Sequence, residues 1–270
     1  MTDDVLGAIF GISRQTANRY YNAWLEVMRE LFSDAFGSWP YIGEFSATIP
    51  SKIKSLFPNI TLIIDCTEFK IETPRNPDTA RKCYSSYKHA YTIKILIGVE
   101  TDGNVAFLSH AFMGGISDIA IVKACGLLDR LEEGSVVLAD RGFQLVDVAR
   151  DHGIRWIVPP SAPTGRGFRE KEMTETYKIA RARILVERTI GRLRVFRQLE
   201  GPLSITSLDR VDKELEVVCH LCKFFPPLVK DSEESFDVST NFDTMTFLPL
   251  SDPTDDVSLY DIELLKERDM

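Results

Sequence analysis

Apolar and polar positions along the chain change period several times, and each change marks an element. Residues 1–36 repeat apolar positions at helical spacing and contain no proline. Residues 37–59, "GSWPYIGEFSATIPSKIKSLFPN", are broken by three prolines and two glycines and read as a linker with one short helix. Strand and helix signals then alternate from 60 to 229. "TLIID" predicts a first strand, "YTIKILIGVE" a second and "GNVAFLSHAFM" a third, with Asp102-Gly103 as the hairpin turn between the last two. Ser117 predicts the N-cap of a helix over "DIAIVKACGLLDRL". "SVVLAD" predicts a fourth strand, "LVDVARDHG" a short helix closed by Gly153, and "IRWIVPP" a fifth strand. "TYKIARARILVERTIGRLRVFRQL" predicts a long basic amphipathic helix. The order β-β-β-α-β-α-β-α is that of a mixed five-stranded sheet with helices on both faces.

Charge divides the chain unevenly. The formal net charge is −8, but residues 231–270 carry 12 acidic and 2 basic side chains. Residues 155–197 hold 11 basic and 4 acidic ones. The acidic balance therefore belongs to the tail, which reads as largely disordered over 230–270. It does not exclude a polyanion partner for the rest. No apolar run approaches a membrane span, and the N-terminus lacks a signal-peptide pattern. Five scattered cysteines argue against a disulfide framework. "CHLC" at 219–222 offers too few ligands for zinc and fits buried core cysteines in a helix.

Three acids stand out by position. Asp65 ends the first predicted strand, Asp140 ends the fourth, and Glu187 lies within the basic helix. On that helix Glu187 shares its face with Arg183, Gly191 and Arg194. Gly191 would let that face approach the sheet or a ligand closely. Carboxylates on two strands and a helix suit Mg²⁺, which takes hard oxygen ligands. Two such ions about 3.5–4 Å apart can hold both oxygens of an in-line phosphoryl displacement. Neighbouring Arg and Lys would then serve a nucleic acid backbone.

"IIDCTEF", "HAFMGGISD", "LADRGF" and "RARILVERTIGRLR" resemble, in order, the motifs of the DDE transposase superfamily, and most closely its PIF/Harbinger-type endonucleases. The resemblance spans about residues 60–229 and implies a ribonuclease-H-like fold. It implies Asp65, Asp140 and Glu187 as catalytic and metal-holding residues for two Mg²⁺ ions, with Mn²⁺ as a substitute. It implies cleavage and transfer of DNA phosphodiesters at transposon ends. The first motif commonly reads Asp-Gly-Thr and here reads Asp65-Cys66-Thr67. Asp118 is read as a first-turn helix acid facing the macrodipole, with contact to DNA or a metal-bound water as the sharper alternative. Arg141 follows Asp140 as a further accessory candidate.

"LGAIFGISRQTANRYYNAW" resembles a helix-turn-helix with Gly11 at the turn and Ser13 as N-cap. Arg14, Gln15, Asn18 and Arg19 would present its exposed N-terminal face to bases and phosphates. Gly7 stands where such motifs usually hold alanine. The leading helix reads as short or missing, and the expectation is a fragment or truncated copy that lacks an upstream DNA-binding module. Lys82 and Lys88 in the segment between the first two strands, and Arg183, Arg188 and Arg194 on the basic helix, complete the expected DNA contacts. The expected organisation is 1–36 DNA-binding, 37–59 linker, 60–229 endonuclease and 230–270 acidic tail. The expected partner is double-stranded DNA, with a homodimer or a separate DNA-binding protein beside it, no membrane, and a nuclear location if the source is eukaryotic. A domesticated, non-catalytic derivative that binds DNA or protein is the rival reading, and an RNA-directed nuclease on the same fold stays open.

Overall fold

The computed structural model describes residues 3–37, 51–160, 169–226 and 228. The acidic tail, residues 38–50 of the expected linker and residues 161–168 lie outside them.

The chain opens with α1 (Asp3–Phe10) and α2 (Arg14–Phe36), joined at Gly11, whose φ of 65° is the left-handed conformation that glycine adopts freely. Ser13 caps α2 by accepting from the Thr16 N–H. At Gly7 a Cβ would meet the Ile12 carbonyl oxygen at 2.8 Å, so the usual alanine would not fit without a shift. After α3 (Ser51–Lys54) comes β1 (Leu62–Lys70), then α4 (Pro77–Cys83), β2 (Tyr84–Ser85) and β3 (Ala90–Val99). The predicted third strand divides into β4 (Val105–Leu108) and β5 (Phe112–Met113), both paired with β3. The helix capped by Ser117 is also interrupted. Gly126, at φ 73°, separates α5 (Asp118–Ala124) from α6 (Leu127–Arg130). The rest follows as β6 (Val136–Leu138), α7 (Val146–Asp151), β7 (Arg155–Ile157), α8 (Glu170–Leu193) and α9 (Val211–Cys222).

The sheet runs β2-β3-β1-β6-β7, with β4 and β5 on the far side of β3. Pairing is antiparallel among β1, β3, β4 and β5, and parallel from β1 through β6 to β7. This is a ribonuclease-H-like mixed sheet, and β1 is the strand where the two senses meet. Alternation along β1 sends Ile63 and Phe69 into a core beneath α8 and α9, and Leu62 and Ile64 into a second core beneath α5, α6 and α7. Trp156 belongs to the second core, and its ring N–H donates to the Phe143 carbonyl at 2.8 Å. Cys219 and Cys222 are buried, unbridged core residues of α9.

Two predicted boundaries move. Asp65 does not end a strand, because β1 continues to Lys70 against a long antiparallel partner, from Ile63 opposite Val99 to Lys70 opposite Thr92. Only Leu62 and Ile63 pair with β6, so Asp65 sits just past the end of the parallel pairing. The basic helix starts earlier than its apolar pattern suggests, at Glu170, where the Glu172 carboxylate accepts the Arg169 N–H.

The long α2 lies against α9. Tyr21 donates to Glu214 at 2.8 Å, Arg29 donates to Glu216 at 2.8 Å, and Lys213 pairs with Glu26. His220 is fully buried beside the rings of Phe32 and Phe36, with no hydrogen-bond partner on either nitrogen among the described residues. Burial, with Lys223 nearby, pushes its pKa down to about 4. The unfolded chain then takes up this proton at higher pH than the folded one. The resulting loss of stability begins below about pH 6.5 and grows as pH falls toward 4, reaching about 2–3 kcal/mol there. His220→Leu should flatten that part of the profile. Denaturant midpoints of both proteins between pH 4 and 8 check it.

Candidate active site at the carboxyl ends of the parallel strands

In a sheet of this kind, ligands gather outside the carboxyl ends of the parallel strands, where connections part. Asp65 lies there on β1, and Asp140 lies two residues beyond the end of β6. α8 crosses the same edge and carries Glu187. Each aspartate is fixed by its own chain. Asp65 accepts the Cys66 N–H at 2.8 Å, and Asp140 accepts the Arg141 N–H at 2.7 Å.

All three carboxylates meet one cation. Arg183 lies 3.1 Å from Asp140, 3.5 Å from Asp65 and 4.0 Å from Glu187, one helical turn away on α8. The side chains are graded in exposure: Arg183 16%, Asp65 21%, Asp140 45% and Glu187 59%. The Arg183 Nε is buried with no hydrogen-bond partner among the described residues. Burial pushes the Asp65 pKa up to about 6, against the pull of Arg183 and the Cys66 N–H, and Asp140 and Asp118 push the same way as burial.

A second charged group backs the first across the sheet. Lys94 on β3 reaches Asp118 at 3.2 Å, Glu68 at 3.6 Å and the Ile116 carbonyl at 2.9 Å. Burial works against its charge, but the two acids outweigh it and raise its pKa. Asp118 is therefore more than a first-turn acid. It is ion-paired to the sheet, and a Cβ on Gly142, in the turn after Asp140, would lie 3.7 Å from it. Sequence reasoning did not single out Lys94 or Glu68. The alternation of β3 already placed a lysine between apolar Ile93 and Ile95, and that was the available signal.

The other expected residues divide into two groups. Gln15 and Arg19 are exposed on α2, and Arg14 is exposed within 3.6 Å of Asp4. Asn18 instead turns inward and donates to Asp3 at 2.8 Å, tying α2 to α1. Lys88 is exposed, its ammonium 4.3 Å from the Tyr87 ring. Lys82 is half-buried in α4, and its carbonyl accepts the Gly115 N–H. Arg188 is exposed. Arg194 donates to the Thr67 hydroxyl at 2.8 Å, which joins the end of α8 to β1 beside Asp65. Arg141 donates to the Pro160 carbonyl at 3.0 Å. His110, on the segment between β4 and β5, pairs with Asp212 at 3.2 Å.

Gly191 meets nothing within 4 Å of a Cβ, so it does not serve close packing on the sheet. Gly191→Ala should therefore stabilise α8, by about 0.5–1 kcal/mol from helix propensity. Thermal unfolding checks this. Weaker duplex DNA binding by the more stable variant would mean that a ligand uses the open space.

Among the described residues, no group of three His, Cys, Asp or Glu side chains is close enough to hold an ion as it stands. The three acids surround a guanidinium rather than each other. Their oxygens are hard donors, and their negative charge exceeds what one arginine balances, so the residue types fit a divalent cation. No helix among the described residues is long and apolar enough to cross a membrane.

The sheet order and its flanking helices define the ribonuclease-H-like class of fold. Comparison with family models agrees. A model described as DDE superfamily endonuclease matches residues 64–223, and one described as helix-turn-helix of DDE superfamily endonuclease matches residues 1–34. The first covers more than half of the chain, which therefore belongs to the DDE superfamily endonucleases. No curated protein matches.

Proposed function

We propose that this chain is a PIF/Harbinger-type DNA endonuclease and transposase, with Asp65, Asp140 and Glu187 as its catalytic carboxylates. One observation carries the reading: acids from β1, from just past β6 and from α8 converge on a single guanidinium at the carboxyl edge of the parallel strands. They would hold Mg²⁺, with Mn²⁺ as a substitute, in a two-ion arrangement. Bound there, the ions supply charge stabilisation and alignment for in-line displacement at a DNA phosphodiester. Asp65 and Asp140 are kept in place by adjacent backbone N–H groups, and Glu187 is the exposed member that adjusts. Arg188, Lys88 and the half-buried Lys82 serve the DNA backbone, and Arg14, Gln15 and Arg19 the duplex at the helix-turn-helix.

In this reading residues 1–36 bind DNA, 37–59 link, 60–229 cut and 230–270 form an acidic tail. The substrate is double-stranded DNA at transposon ends, met as a homodimer or with a separate DNA-binding protein, in the nucleus if the source is eukaryotic. The second reading is a domesticated, non-catalytic derivative, favoured by Arg183 already occupying the space between the acids. Incubation of terminal-repeat DNA with Mg²⁺ separates the two. Nicking by the wild type that is lost in Asp140→Ala supports the nuclease. Equal outcomes in both proteins would sink it.

A further inference from the structure

The contacts of Arg183 carry a consequence for how the site is loaded. It touches all three acids, and its Nε is buried with no hydrogen-bond partner among the described residues, so the guanidinium is held there by charge rather than by a complete hydrogen-bond set. Arginine cannot shed its proton in a protein, so this charge leaves the site only if the side chain moves. Two divalent ions beside it would set five positive charges against three carboxylates. A DNA phosphodiester adds only one negative charge. Like charges this close repel strongly where the surroundings are partly buried.

We propose that Arg183 is the built-in counter-ion of the metal-free site, which holds the three carboxylates together and is displaced when divalent cations bind. The inference rests on the assignment of Asp65, Asp140 and Glu187 proposed above. It makes Arg183 a positioning residue and a competitor of the metal. Metal-free protein is kept from charge repulsion among its own acids, and every cation that enters works against a fixed positive charge. The flexible side chain, anchored one turn before Glu187 on α8, swings out as the ion enters and becomes free to meet a phosphate.

Mn²⁺ binding to the full chain without DNA, measured by titration calorimetry, tests this apart from cleavage. Wild type should bind Mn²⁺, and Asp140→Ala should not. Arg183→Gln should bind at least about fivefold more tightly than wild type, since a like charge is gone. Its metal-free melting temperature should fall, and the rise on adding saturating Mn²⁺ should exceed that of wild type. Unchanged or weaker Mn²⁺ binding by folded Arg183→Gln, with Asp140→Ala still inactive in binding, overturns the counter-ion while leaving the site assignment standing. Wild type that binds no Mn²⁺, or Asp140→Ala that binds like wild type, overturns the site assignment itself. If Arg183→Gln does not fold, the wild type is titrated with Mg²⁺ and its arginine Nε–H resonances are followed, that of Arg183 being identified by its absence in Arg183→Lys. A shift of that resonance on saturation is expected, and its constancy overturns the proposal.

Discussion

If the proposed site is right, Asp140→Asn and Asp65→Asn should each lower Mg²⁺-dependent cleavage of duplex DNA by about a thousandfold or more, because each would remove a charged ligand worth several kcal/mol of transition-state stabilisation. Both replacements keep size and shape, and asparagine can still accept from Cys66 N–H or Arg141 N–H as the aspartates do. Folding should therefore survive, and a circular dichroism melt alongside the cleavage assay separates lost chemistry from lost structure. Glu187→Gln should retain more activity than either. Its side chain is the most exposed of the three and its contact with Arg183, at 4.0 Å, is the longest. A longer, freer side chain constrains an ion less than a short one fixed by its own backbone. Activity of Asp65→Asn within tenfold of wild type would remove Asp65 from the site and with it the reading of β1.

Most of the strand order is legible from period alone, since alternation on β1, β3 and β6 is imposed by two cores on opposite faces of one sheet. The errors sit where a partner distant in sequence decides. Asp65 looks like a strand end because the apolar run stops there, yet Cys66 to Lys70 stay extended through pairing with β3. Asn18 has the spacing of a base-contacting residue but meets Asp3, a contact set by how α1 folds back at Gly11. The pairing of Arg183 with Glu187 is implied by helical spacing. That the same guanidinium also spans Asp65 and Asp140 depends on how α8 is rotated over the sheet, which no local pattern encodes. Buried Ile179, Ala182, Leu185, Val186 and Ile190 fix that rotation, so the core of α8 determines what its charged edge can reach.

The same kind of tertiary contact joins the helix-turn-helix to the endonuclease domain, and Arg29→Met should expose its cost. Arg29 donates to Glu216 and Glu26, both at 2.8 Å. Glu216 is almost completely buried on α9, whereas Arg29 is about one-third exposed. Removing the arginine leaves a buried carboxylate without its cation. The loss should be about 2–4 kcal/mol, below the range for a fully buried pair because solvent reaches the arginine side. The double variant Arg29→Met with Glu216→Leu should recover most of the stability, since a well-packed apolar pair replaces the ion pair without stranding a charge. Denaturant unfolding of the four proteins closes the cycle. Hydrogen exchange locates it: amides of α2 should lose protection in Arg29→Met while those of β1 and β3 keep theirs. Equal loss across the sheet would mean that α2 and the endonuclease fold unfold as one unit, and that the helix-turn-helix has no independent freedom to reorient on DNA.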